Sequence, residues 1–188
     1  MRTAEFLVAK DPGVDDTGDM AMLRLVMSLA RESMSVTYVG LGAEDAVRPD
    51  GRVLRKAAVR MPTILTRAAR HRRSLVHARF DDRRLRDAVT ASRADLFVAD
   101  HSYMAESYLA TRRTEPLYTN TVVSESLVWS ATYGRLGRLQ APAILRDELR
   151  VARASRAVGR GRFLSRGGRR SGALARSHPA AAGVGSRA

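Results

Sequence analysis

The first forty residues constrain the fold more than any other stretch. Phe6-Leu7-Val8-Ala9 is a short apolar run, a loop rich in Gly and Asp runs from Asp11 to Asp19, apolar residues then recur at helical spacing, and Met34 to Leu41 is a second apolar run. This order is a β-loop-α-β unit: two parallel strands need a crossover of about this length, and the crossover is usually a helix. In open α/β sheets the loop after the first strand is where ligands meet the carboxyl ends of the strands. The spacing starts the first helix between Thr17 and Asp19, with Asp19 able to cap its free N–H groups. Met22, Leu23, Val26, Leu29 and Ala30 are expected to form its buried face, and Arg24, Ser28 and Arg31 its wet one.

The alternation continues along the chain. Ala43 to Gly51 reads as polar loop with a Pro49-Asp50-Gly51 turn, and 53–59 as a strand. Pro62 suits the start of a helix carrying Ile64, Leu65 and Ala68 inward. A short strand over 75–80 and a helix over 82–92 are expected next. Asp95-Leu96-Phe97-Val98-Ala99 is the clearest core strand; it ends in Asp100-His101-Ser102, and Tyr103 to Ala110 forms the helix after it. Pro116 to Val123 reads as a further strand leading into Ser124-Glu125-Ser126. Pro142 opens a last helix to about residue 157, with Ile144, Leu145, Leu149 and Ala152 inward. Strands alternating with helices predict an α/β fold, a doubly wound, mostly parallel Rossmann-like sheet spanning residues 1–158.

A domain of this size buries about 68–70% of its unfolded surface, so a real core is expected. No apolar run approaches the roughly 18–20 residues of a membrane span, Glu5 and Lys10 bracket the first apolar run, and there is no cysteine. A soluble, cytoplasmic protein is the expectation. The formal charge of +14 points towards polyanions, but Lys10 and Lys56 are the only lysines among the cations. Such an arginine bias follows as readily from a GC-rich gene as from a phosphate-binding face. After Val158 the chain changes character: residues 159–188 hold no acid, repeat Gly, Arg, Ser and Ala, and show no hydrophobic period, so a disordered tail is expected. Two readings of it stay open, a basic nucleic-acid-type arm and the shifted-frame translation of a GC-rich gene.

Few residues suit chemistry. The loop Gly13-Val14-Asp15-Asp16-Thr17-Gly18-Asp19 matches neither the dinucleotide fingerprint nor a phosphate loop, although two glycines near a helix N-terminus let backbone amides approach an anion. His101, at a strand end, is the best candidate for proton chemistry or for binding a substrate hydroxyl. His71, His77 and His178 have less context, and the histidines form no metal-ligand pattern. Glu125 lies at the same rim, where a carboxylate can hold hydroxyls; its plainer reading is a helix-start residue capped by Ser124. Asp15-Asp16 without partners is a poor divalent-metal site.

Together, the 6–41 unit, the strand end Ala94 to His101, and Tyr118-Thr119-Asn120-Thr121-Val122-Val123-Ser124-Glu125-Ser126 resemble the amino-terminal half of a two-domain GT-B glycosyltransferase of the large retaining group called family 4. The last segment is similar to an H-N-x-E-S turn, with Thr119 in the place of the histidine. The resemblance covers residues 3–158. It implies transfer of a sugar from a nucleotide-sugar donor to an acceptor hydroxyl, with no cofactor beyond the donor. It also implies that Gly18 and Asp19 approach the donor diphosphate and that His101 lies beside the transferred sugar as the catalytic histidine. Members continue into a second Rossmann-like domain carrying most of the donor site. Here that continuation is missing, so a truncated, inactive fragment is expected, or a domain whose donor half comes from a separate chain. A basic-tailed nucleic-acid-binding protein is the competing reading.

Overall fold

The computed structural model describes residues 1–14, 16–121 and 124–159. The segment read as a tail lies outside the described residues from 160 onward, as do Asp15, Val122 and Val123. Seven strands, β1 (Thr3–Val8), β2 (Ser35–Gly42), β3 (Ala46–Arg48), β4 (Gly51–Arg55), β5 (Leu96–Asp100), β6 (Leu117–Asn120) and β7 (Ala157–Gly159), form one sheet in the order β3-β4-β2-β1-β5-β6-β7. Every neighbouring pair is parallel except β3 with β4. The expected doubly wound, mostly parallel α/β fold is present.

Alternation along β1 shows why both faces are covered. Ala4, Phe6 and Val8 point to one side, where Met20, Leu23 and Met27 of α1 (Gly18–Arg31) pack on them with Val36, Tyr38 and Val53. Leu7 and Ala9 point to the other side. There they meet Val76 and Phe80 of α3 (Leu75–Phe80), Leu85 and Val89 of α4 (Arg83–Ala91), and Tyr108 of α5 (Ala105–Leu109). A strand buried on both faces is the mark of a parallel sheet covered by helices on both sides. Three further α-helices among the described residues are α2 (Met61–His71), α6 (Glu125–Thr132) and α7 (Gly134–Ala154), and no helix of the described residues is long and apolar enough to cross a membrane.

Several local expectations are corrected. The buried stripe of α1 is Met20-Leu23-Met27, whereas Met22 and Leu29 are exposed. Asp19 does not cap α1: Thr17 holds the cap position, and the Asp19 carboxylate turns to Lys10. The 43–51 loop contains β3, and the strand placed at 53–59 is β4, ending at Arg55. Residues 75–80 are helix rather than strand. Their N-terminus is capped from a distance, since Ser74 N–H donates to Asp147 Oδ2 (2.6 Å) and Leu75 N–H to Gln140 Oε1 (3.3 Å). Pro142 lies inside α7 instead of opening it, and the inward residues are Ile144, Asp147 and Val151, with Leu145 and Leu149 exposed.

Gly40 in β2 sits against the turn that leaves β1, where a Cβ would fall 2.8 Å from the Lys10 carbonyl oxygen. Backbone on both sides cannot yield cheaply, so Gly40→Ala is expected to lower unfolding free energy by about 1–3 kcal/mol in urea titration. An unchanged midpoint would show that the turn is looser than this packing implies.

Candidate active site at the carboxyl edge of the sheet

Strand order reverses between β1 and β5, because β1 is followed by a crossover to β2 on one side while β5 continues to β6 on the other. The two chains part at their carboxyl ends and leave a crevice there, the usual ligand position in such sheets. Lys10 follows β1 by two residues, Asp100 ends β5, His101 comes next, Asn120 ends β6, and Asp19 lies in the first turn of α1. One edge of the sheet thereby collects residues far apart in sequence.

His101 is the centre of this group. Its Nδ1 lies 3.2 Å from Glu125 Oε1, off the direction of a good hydrogen bond, and its Nε2 lies 3.8 Å from Asp100 Oδ2 and 4.0 Å from Asp19 Oδ2. The ring stacks on Tyr103, centroids 5.1 Å apart and planes within 6°, and Tyr103 stacks on Phe80 at 4.2 Å. Lys56 Nζ lies 4.5 Å from the Phe80 centroid, closing the ladder with a cation–π contact. Exposure rises outward, from 7% for the His101 side chain through 13% for Glu125 and 26% for Asp19 to 38% for Lys10. The crevice therefore opens on the Lys10 side.

The backbone of His101 has φ 72° and ψ 150°. Side chains avoid this region, which is almost confined to glycine and costs on the order of 1–3 kcal/mol. Surrounding bonds hold it there. His101 N–H donates to the Asn120 carbonyl (2.8 Å), and its own carbonyl accepts from Met104 N–H (3.2 Å). Behind the turn, Ser102 Oγ lies 3.3 Å from His77 Nε2, and His77 Nδ1 lies 2.6 Å from Glu106 Oε1, which also bonds Arg150. Ser102 and His77 are 1% and 0% exposed, so no substrate reaches this serine-histidine-glutamate trio. It supports the turn.

Charge states follow from this environment. Burial opposes charging His101, but Glu125, Asp100 and Asp19 together outweigh it and raise the imidazole pKa. Burial also pushes Asp100 up to about 6; His101 pulls the other way, and Asp19 adds to the rise. Asp100 Oδ1 accepts weakly from Asn120 Nδ2 at 3.5 Å, and Oδ2 has no hydrogen-bond partner among the described residues. Desolvation is the largest single influence on Asp19 and raises its pKa, but the Thr17 hydroxyl, Lys10 and its own backbone N–H together outweigh it, and it falls to about 2.

Of the residues singled out by sequence, His101, Glu125 and Asp19 come together directly. Gly18, which precedes Asp19 at the start of α1, borders open space, since a Cβ there would meet nothing within 4 Å. Ser124 does not cap Glu125: Glu148 of α7 accepts from Glu125 N–H (2.7 Å) and from Ser124 Oγ (3.0 Å). Thr119 faces α7 instead of the crevice, bonded to Ser155 Oγ at 2.7 Å. Asp16 pairs with Arg24 at 2.6 Å, and no group of three metal-ligating side chains occurs among the described residues. Sequence reasoning missed Lys10, Asp100, Asn120 and Tyr103 as site residues. The available signal was that Asp100 and Asn120 end parallel strands and that Lys10 just follows one.

A mostly parallel sheet of this order, with polar side chains gathered at its switch point, is a doubly wound, Rossmann-type sheet. Among solved structures the chain is similar to sucrose-phosphate synthase from Thermosynechococcus elongatus, with a TM-score of 0.55 and 12% identity over 84% of this chain and 42% of that one. At that identity the likeness shows the fold, and the chain spans less than half of that neighbour's length. No family model and no curated sequence matches the chain.

Two outcomes are expected from the site's strain and charge. His101→Gly should be more stable than His101→Ala by about 1–2 kcal/mol in chemical unfolding, since both lose the ring and only glycine accepts the backbone; equal stabilities would mean the turn relaxes. Because the folded pKa of Asp100 is raised, its stabilising contribution is full below the unfolded value near 3.9 and is lost as pH rises through about 6. Asp100→Asn should therefore gain on wild type by about 1–3 kcal/mol between pH 4 and pH 8, and a gain in the opposite direction would contradict the assigned burial of charge.

Proposed function

We propose that this chain forms one half of a glycosyltransferase, family 4-like, that moves a sugar from a nucleotide-sugar donor to an acceptor hydroxyl. The observation that carries the reading is a histidine held in a glycine-type conformation among three carboxylates at the switch point, since strain of this kind is retained where an orientation is needed. An imidazole and carboxylates gathered within 4.0 Å of it, their hydrogen bonds not spent on each other, suit the hydroxyls of a sugar ring. His101 donates to a sugar oxygen, while Glu125 and Asp19 accept from hydroxyls. Lys10 and the N-terminus of α1 beside Gly18 lie on the open side and suit a diphosphate, because a helix N-terminus and an ammonium both favour negative charge.

In the transfer, the bond from the anomeric carbon to the donor phosphate breaks, the phosphate leaves with the electron pair, and the acceptor oxygen bonds the anomeric carbon and gives up its proton to the departing phosphate oxygen. Holding donor and acceptor together is most of the catalytic gain. That requires a donor-binding unit facing the same crevice, contributed by further polypeptide or by a separate chain. By itself this half is expected to bind weakly and to turn over little.

The test is a titration of the full chain with UDP-, GDP- and ADP-sugars and simple saccharides, followed by NMR of the histidine rings. At least one ligand is expected to shift His101 saturably, and Glu125→Gln should weaken that response. No His101 shift with any of them up to about 10 mM, beyond the ordinary 1 μM–1 mM range of substrate KM, would end the proposal.

A further inference from the structure

On the face of the sheet covered by α3, α4 and α5, the helix α2, the α3–α4 corner and α5 enclose a recess of about 510 Å3. Arg67, Arg70, Arg73 and Arg86 line it, against two carboxylates, Asp81 and Glu106. Both acids are already engaged. Arg86 Nε lies 3.4 Å from Asp81 Oδ1, and Glu106 is held by His77, Arg150 and Arg73, the last at 3.4 Å. Arg67 donates to a neutral acceptor, the Asp81 carbonyl, at 3.1 Å, and Arg70 has no side-chain partner among the described residues. Two guanidinium charges thus remain unmatched at the mouth of one concavity.

Walls of low dielectric focus such a field, and guanidinium forks match the oxygens of a phosphate. The plainer account, that Arg70 and His71 complement the carboxyl end of α2, is worth about 0.3–1 kcal/mol. It leaves unexplained why Arg67, whose acceptor is an uncharged carbonyl, shares the same concavity with an unpaired Arg70. We propose that this recess is a binding site for a compact phosphate-bearing small molecule, separate from the sugar-transfer crevice. A phosphate monoester carries about −1.5 to −2 near neutral pH, which balances the two unmatched cations. The site does not depend on the glycosyltransferase reading, since none of its lining residues touches the crevice ligands named above.

The test is calorimetric titration of the full chain with inorganic phosphate at fixed ionic strength, balanced with chloride. Saturable binding is expected, weakened about tenfold by Arg70→Ala. Arg83→Ala, an exposed cation on α4 outside the recess, and Lys10→Ala, which removes the ammonium at the crevice mouth, should leave it unchanged. Phosphate binding that survives Arg70→Ala, binding that is lost with Lys10→Ala, or no saturation above the chloride control would each overturn the proposal. Arg70 is exposed and its side chain makes no hydrogen bond or ion pair among the described residues, so its loss is expected to leave the fold intact, which matching circular dichroism and unfolding midpoints would verify.

Discussion

The parallel pairing of β1 with β5 is the constraint from which the site follows. Ala4 to Leu7 lie in register with Leu96 to Ala99, so Val8 and Asp100 end close together while the chain leaves them in opposite directions. One exit becomes the Lys10–Asp19 loop and α1, and the other becomes the His101 turn. Nothing local in either segment specifies the meeting. Both faces of β1 must be buried for the pairing to be stable, and α1 on one side with α3, α4 and α5 on the other provide that cover.

The unfavourable backbone of His101 is tolerated because its surroundings are over-determined. One main-chain bond ties it to β6, one ties it forward to Met104, the ring rests on the Tyr103–Phe80 stack, and the Ser102 hydroxyl reaches the buried His77. α7 secures this arrangement from outside with three neighbouring polar residues. Asp147 caps α3, Glu148 occupies the N-terminus of α6 at Glu125, and Arg150 anchors Glu106 beneath His77. A carboxylate at a helix N-terminus satisfies otherwise orphaned N–H groups and also meets the positive end of the dipole. One helix thereby fixes both the residue that supports the turn and the residue that pairs with the His101 ring.

Periodicity made the repeated β-α order legible, along with β1, β2, β5, α4 and the strand-end position of His101, because each of these is specified by its own residues. The helix expected over 82–92 is α4, and Asp82 caps it by accepting from Leu85 N–H at 3.1 Å. What stayed hidden depends on distant partners. Residues 75–80 carry too little helical signal for six residues, and their caps lie more than sixty positions away in α7. Pro142 marks a helix start by propensity, yet the tertiary contacts of Ile144 and Val151, together with Gly137 packed against the Trp129 carbonyl, sustain helix on both sides of it. The site was half legible for the same reason: Asp19, His101 and Glu125 stand at loop or strand boundaries, whereas His77 becomes meaningful only through Ser102 and Glu106.

Electrostatics then divides the crevice. Asp19, Asp100 and Glu125 outnumber Lys10 and a charged His101, so a free anion gains little by moving inward to the buried end. A ring of neutral hydroxyls loses nothing there and can replace the hydrogen bonds that water would make to these carboxylates. Lys10 is the cation nearest solvent, joined to Asp19 in the first turn of α1, and Lys56 lies farther along the aromatic ladder. In the proposed transfer the sugar belongs deep, against His101, and its phosphates belong outside, against Lys10. This polarity arises because the strand order reverses between an exit carrying the ammonium and an exit carrying the buried acid.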